Sequence, residues 1–145
     1  MNLKVSEIAE MCGGRLVGSG ENTVTSFYTD SRETTPGKMF VPIRGENTDA
    51  HRFIPQVFAS GASATFSEEP LDAPAGDVVY VENTRAALQK VAERYRERFN
   101  IPVIGITGSV GKTTTKELVS TVLAKKYNVL HTEANYNNHI GVPKT

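Results

Sequence analysis

The sequence is poor in cysteine, in tryptophan and in any surplus of charge. Cys12 is its one cysteine, tryptophan is absent, and 16 basic residues balance 16 acidic ones over 145 positions. A single cysteine excludes a disulfide framework within the chain, as expected in a reducing compartment. Cys12 lies on the apolar side of a helical pattern, so it reads as a buried, inert thiol. Zero net charge offers nothing to nucleic acid or to a membrane surface, so any anion site has to be built locally. No apolar run approaches the roughly 20 residues that span a bilayer. The opening MNLKVSEIAEM is amphipathic and does not read as a secretory signal. The expected setting is the cytoplasm, with no nucleic-acid partner, no membrane partner and a monomeric state. The three histidines, His51, His131 and His139, are too scattered to read as a zinc set.

What is present suits a globular protein: 39% of residues are hydrophobic and 22% charged. A first helix places Val5, Ile8, Ala9 and Cys12 on one face, with Ser6 as its cap and Gly13-Gly14 as its stop. RLVG, TVTSFYTDSR, Met39 to Ile43, SATF and DVVYVE read as strands. DAHRFIPQVFASGA presents Phe53, Ile54, Val57 and Phe58 on one helical face if Pro55 occupies the first turn, and Gly61 ends it. TRAALQKVAERYRERF is the clearest helix, with Leu88, Val91, Ala92, Tyr95 and Phe99 inward and a solvated charged face. Asn-Ile-Pro then breaks the chain. Val103 to Thr107 is apolar without alternation, as in a strand covered on both sides of a parallel sheet. A helix from Lys112 to Lys126, with Leu118, Val119, Val122 and Leu123 inward, and a strand VLHTE complete the pattern. The fold class is therefore α/β: a small α/β domain over residues 1–98, then the start of a parallel-sheet domain over residues 99–145.

The junction VIGITGSVGKTTTKEL, residues 103–118, runs from strand pattern through glycines into helix. Backbone amides at a helix N-terminus bind phosphate well, and glycine lets the loop approach the oxygens closely. Gly108, Ser109, Val110, Gly111, Lys112, Thr113 and Thr114 form the candidate seat for a nucleoside triphosphate. Lys112 is the candidate catalytic cation for the β- and γ-phosphates, and the Thr113 hydroxyl the candidate ligand of Mg²⁺. The strict phosphate-loop pattern wants glycine where Ile106 stands, and Gly105 lies one place early. Further on, TEANYNNHIGVPKT gathers Asn135, Asn137, Asn138 and His139 after a strand. Such a run can bond a sugar or a base at a sheet's carboxyl edge, or simply satisfy its own backbone.

Three separated stretches together resemble the Mur ligase family of bacterial cell-wall synthesis. GITGSVGKTTTKE is similar to that family's ATP loop, which also lacks the strict first glycine. TDSRETTPGKMFVPIRGENTDAHRFIPQVFASGA looks like its N-terminal domain, and TEANYNNHIGVP like the segment after its loop. With Ala50 in "DAH", the pattern resembles the member joining D-alanyl-D-alanine to a UDP-N-acetylmuramoyl tripeptide. The resemblance implies that residues 1–98 hold the UDP end of the substrate and that residues 99–145 begin the ATP-binding domain. It implies that Ser31 and Arg32 contact the UDP-sugar at its pyrophosphate or uridine. Asn135, Asn137 and Asn138 would lie toward the muramoyl or phosphate region, and His139 near the nucleotide without an assigned role. Asp30, Asp49 and His51 would order loops around the uridine pocket. The implied reaction is ATP-dependent amide formation through an acyl phosphate, with Lys112 and Mg²⁺ offsetting the repulsion of carboxylate and γ-phosphate. The family's central domain runs on well past residue 145, so the 145-residue chain by itself is expected not to ligate. The rival readings are the sister ligase that adds the third amino acid to the dipeptide precursor, a non-catalytic nucleotide-sugar-binding module, and an unrelated phosphate-loop kinase.

Overall fold

The computed structural model describes residues 1–46, 48–132 and 138–145. Strand β1 (Leu3–Lys4) leads directly into helix α1 (Val5–Cys12). Val5, Ile8, Ala9 and Cys12 are buried, as the 3.6-residue spacing predicts. The cap differs from expectation. Ser6 lies inside the first turn, and the helix is closed instead by Glu7, whose carboxylate accepts the Lys4 amide at 2.9 Å. That is the reciprocal half of a capping box, which a search for a Ser or Thr cap overlooks. Gly13 ends the helix in the left-handed region (φ 70°), and its amide bonds back to the Glu10 carbonyl at 3.2 Å.

Six further strands follow: β2 (Arg15–Val17), β3 (Thr23–Val24), β4 (Ser26–Tyr28), β5 (Lys38–Phe40), β6 (Ala64–Ser67) and β7 (Asp77–Tyr80). Among the described residues they form a five-stranded sheet of order β2-β7-β6-β5-β4 and a β1-β3 ribbon. β4 to β7 run parallel, while β2 joins the edge antiparallel to β7. Helix α2 (Ile54–Ala59) links β5 to β6, and Pro55 does sit in its first turn, where no amide is needed. Helix α3 (Thr84–Glu97) follows β7, capped by the Asn83 side chain accepting from Ala86 N at 2.8 Å.

The pleat sends neighbouring residues to opposite faces, and the cores divide accordingly. Met39, Ala64, Phe66 and Val79 pack with α1 and with Ala87, Leu88 and Val91 of α3. Phe40 and Tyr28 pack on the other face with Ile54 and Val57 of α2. The result is three layers, helices on both sides of one sheet.

Residues 99–145 behave differently. Helix α4 (Lys112–Leu123) forms. The expected strand at Val103 to Thr107 does not, nor do Val129 to Thr132 form one; Glu133, the last residue of that expected strand, lies outside the described residues. Val103 is 67% exposed and Ile104 61%. A strand exists by pairing its backbone groups with a neighbour, and no described strand lies beside this segment. Leu118 and Val122 are likewise exposed, against expectation, while Val119 and Leu123 are half-buried. Lys116 Nζ ties α4 to the carbonyl of Thr132 at 2.5 Å. A last helical turn, α5 (Gly141–Lys144), packs on α3, and Ile140 joins the rim of the first core.

Candidate functional site

The four parallel strands end on one edge of the sheet, where ligands of open α/β sheets bind. The segments leaving β4, β5, β6 and β7 there carry Asp30 to Glu33, Pro42 to Glu46 with Thr48 and Asp49, Glu68 to Leu71, and Asn83. Beyond β4, Asp30 caps a 3-10 turn at Ser31–Glu33 by accepting from Arg32 N at 3.0 Å. The Arg32 guanidinium turns back onto the same carboxylate, with Nε at 2.8 Å and Nη2 at 2.5 Å. That pairing, with the Arg32 backbone N–H, holds the Asp30 carboxyl at about 2. Ser31 and Arg32 thus stand at the sheet edge, with the arginine oriented by Asp30 and its side chain 85% exposed.

Beyond β5, Asp49 repeats the device for the turn Ala50–Phe53, accepting from His51 N at 2.9 Å. His51 Nδ1 lies 2.6 Å from the same carboxylate oxygen. Its Nε2 faces the backbone N–H of Glu68 at 3.2 Å. A backbone N–H can only donate, so Nε2 accepts and the ring proton sits on Nδ1, bonded to Asp49. His51 is a buried strut between two loops, with both ring nitrogens engaged. The His51 backbone N–H is the first of several contacts that keep the Asp49 carboxyl well below the usual carboxylate range. A cavity of about 350 Å³ opens here, between residues 48–52 and 67–71. Asp49, Ser67 and Glu69 line it with hydrogen-bonding oxygens, and Pro70 and Leu71 supply apolar surface.

Sequence reasoning missed the groups that hold this edge together. Arg44 reaches Asp49 at 2.8 Å and Glu69 at 2.5 Å. Glu68 accepts from Thr84 N at 2.9 Å, joining the exit of β6 to the start of α3, and Thr84 Oγ1 donates to the Pro42 carbonyl at 2.5 Å. The only available signal was the acidic pair in SEEP beside the lone arginine of PIRG, and their pairing depends on β5 lying next to β6.

The glycine-lysine junction forms a turn into α4. Gly111 is the N-cap in the left-handed region (φ 77°), Gly108 has φ 151°, and no side chain caps the helix. The first amides of a helix have no partner within it, so this uncapped end offers donors and positive potential together. Lys112 Nζ lies 2.6 Å from the Gly108 carbonyl, folded over the loop. Gly108 to Thr114 are therefore brought together around one helix start, as the junction predicts. The Thr113 hydroxyl is an exposed oxygen at that start, suited to a hard cation as one ligand among several. Among the described residues no cluster of three or more His, Cys, Asp or Glu adds to it. Of the asparagine run, Asn138 lies among the described residues. Asn138 accepts from the amides of Ile140 at 3.0 Å and Gly141 at 2.7 Å, starting α5. His139 offers its carbonyl to Gln89 of α3 at 3.3 Å. Asn135 and Asn137 lie outside the described residues.

Comparison with known proteins matches residues 23–107 to the family described as "Mur ligase family, catalytic domain" and residues 106–145 to "Mur ligase middle domain". A UDP-N-acetylmuramoyl-tripeptide--D-alanyl-D-alanine ligase of Synechocystis is 48% identical over 124 residues, covering 84% of this chain and 27% of that protein. Among solved structures, MurF from Acinetobacter baumannii superposes with a TM-score of 0.92 at 34% identity, covering 99% of this chain and 32% of its own. MurF ligase from Thermotoga maritima, in complex with ADP, gives 0.73 at 34% identity, covering 81% and 27%. The chain thus spans about a third of the length of the relatives it matches.

Proposed function

Because the chain belongs to the Mur ligase family, we propose that it supplies the nucleotide-sugar pocket and the phosphate loop of an ATP-dependent carboxylate–amine ligase. The proposed reaction joins D-alanyl-D-alanine to UDP-N-acetylmuramoyl tripeptide in peptidoglycan precursor synthesis, through an acyl phosphate, in the cytoplasm. No described helix is long and apolar enough to cross a membrane.

The observation that carries the reading is the uncapped start of α4, with left-handed Gly111 and Lys112 folded over Gly108. The amides from Ser109 to Thr114 would cradle the β- and γ-phosphates of ATP. Lys112, released from the Gly108 carbonyl, would place its ammonium against the transferring group, where it offsets the charge of an approaching carboxylate. The Thr113 hydroxyl would give one oxygen to Mg²⁺, which neutralises phosphate charge when bound. At the sheet edge, the cavity bordered by Asp49 and His51 suits the uridine end, with Ser31 and Arg32 nearby on the same edge for the rest of the UDP-sugar. Asn135, Asn137 and Asn138 are proposed to face the muramoyl part. Binding the substrate far from its reacting carboxylate turns an encounter into a positioned reaction.

Calorimetry of the chain with UDP-N-acetylmuramoyl tripeptide, the corresponding dipeptide and Mg-ATP tests this. Binding of the tripeptide precursor in preference to the dipeptide is the expected outcome. Affinity for Mg-ATP with none for any UDP compound would point to an unrelated phosphate-loop protein and end the proposal.

A further inference from the structure

The cavity beside Asp49 has two walls that come from different parts of the chain. One is residues 48–52, after β5; the other is residues 67–71, after β6. Arg44, which belongs to neither, bonds to both. Arg44 Nε bonds Asp49 Oδ2 at 2.8 Å on the first wall, and its Nη2 bonds Glu69 Oε1 at 2.5 Å on the second. Its Nη1 faces Glu68 Oε2 at 3.6 Å. Each guanidinium nitrogen is thus turned to a carboxylate, a use of the planar fork that a lysine ammonium cannot reproduce.

The charge count around this fork bears on what the cavity can take. Asp49 and Glu69 are the carboxylates that line the cavity, and the one guanidinium among its lining residues, that of Arg52, lies 4.7 Å from the centre of the Phe53 ring. Two lining carboxylates against one guanidinium leave an acidic surplus, which disfavours a diphosphate at this spot. The same groups provide acceptors for the N–H and O–H donors of a base and a ribose.

Resting on the nucleotide-sugar reading of this cavity, we infer that Arg44 is a positioning residue for the nucleoside end of the substrate: it fixes the spacing of the two walls and makes no contact with phosphate. Arg44 acts through Asp49 and Glu69. Asp49 also holds His51, so the tie reaches the strut that joins the Ala50–Phe53 turn to the Glu68 backbone.

Titrating the chain with uridine and with UDP, followed by NMR, separates this role from the alternatives. Arg44→Met is expected to weaken both ligands by the same factor, on the order of fivefold. Arg44→Lys is expected not to restore either, because one point charge cannot span the walls. Glu69→Gln, at an exposed side chain, is expected to weaken both ligands in the same direction, and it carries the test if the Arg44 variants do not fold. A loss confined to UDP would make Arg44 a phosphate ligand and overturn the inference. Unchanged affinity for both ligands in folded Arg44→Met, or in Glu69→Gln, would also overturn it. If the unsubstituted chain binds neither ligand, the reading of the cavity fails first and the inference falls with it.

Discussion

Replacing Asp77 tests whether the turn after β2 is held by a buried carboxylate. Asp77 is 2% exposed and opens β7. Its Oδ1 accepts from the Gly20 amide at 3.1 Å and faces Ser19 Oγ at 3.4 Å. Its Oδ2 accepts from Asn22 Nδ2 at 3.0 Å. The turn passes so close that a Cβ built on Gly18 would lie 2.2 Å from Oδ1. Asp77→Ala leaves the buried Gly20 amide without an acceptor, at about 1–3 kcal/mol, and loses the bond from Asn22. Ser19 and Asn22 are only partly buried and can turn toward water, so the three losses do not add in full. The expected destabilisation is about 3 kcal/mol for alanine. Asp77→Asn keeps an acceptor for Gly20 and loses mainly the Asn22 bond, so about half of that is expected. With a urea slope of roughly 1.5 kcal/mol per molar, the midpoint should fall by about 2 M for alanine and about 1 M for asparagine. Urea unfolding followed by far-UV circular dichroism reads this directly. Midpoints for both variants within about 0.3 M of the parent, or asparagine worse than alanine, would refute the reasoning.

Three other outcomes are expected. Asp30 is held at about 2 against an ordinary 3.8, so its contribution is complete above the ordinary value and fades as pH falls through the window between the two; Asp30→Asn should remove that part of the acid dependence, and a carboxyl-carbon NMR titration of the parent with a midpoint at or above 3.8 would contradict it. Lys112→Met should lower the affinity for Mg-ATP by about tenfold or more while leaving UDP binding unchanged, measured by calorimetry. Leu118→Glu with Val122→Glu, at side chains 63% and 69% exposed, should reduce binding of an apolar dye and leave the urea midpoint unchanged.

Local periodicity made the helices legible. The stripe of α1 and, through Leu88 and Val91, that of α3 follow from 3.6-residue spacing, whereas Phe99, expected inward, lies past the end of α3 and is 43% exposed; left-handed Gly13 and Gly61 mark real ends. Pro55 could be placed in a first turn because its geometry allows little else. The turn into α4 was readable for the same reason: Gly108, Gly111 and Lys112 lie within one turn of its start. What stayed hidden depends on residues far apart in sequence. Arg44 meets Glu69 25 positions away only because β5 pairs with β6. Asp77 meets Gly20 57 positions away for a similar reason. Asn138 could serve a ligand or its own backbone, and sequence does not separate these; in the structure its oxygen caps α5. Val103 to Thr107 failed as a strand because an apolar run reports a tendency to be covered and says nothing of what covers it.

That last failure separates two kinds of order in this chain. The three layers between Leu3 and Glu97 bury well-filled cores: Leu3, Val5, Phe40, Phe66 and Leu88 are each at most 1% exposed. Around α4 the apolar residues Val103, Ile104, Leu118, Val122 and Leu130 remain open. The proposed phosphate seat therefore takes its local shape from glycine and helix geometry, which need no core, while its place relative to the sheet edge must come from something else. Two contacts on α3 supply it. Arg96 holds the carbonyls of Phe99 at 2.7 Å and Ile101 at 2.9 Å as the chain leaves that helix. Further along, Ile140 and α5 return to pack on α3, with Gln89 bonded to the His139 carbonyl. α3 also begins at the sheet edge, where Thr84 is bonded to Glu68 and Pro42. One rigid helix thus connects the loops around the cavity to the segments on either side of the phosphate loop. The proposed reaction, in which a remote carboxylate is brought in line with a phosphate, would need that kind of connection.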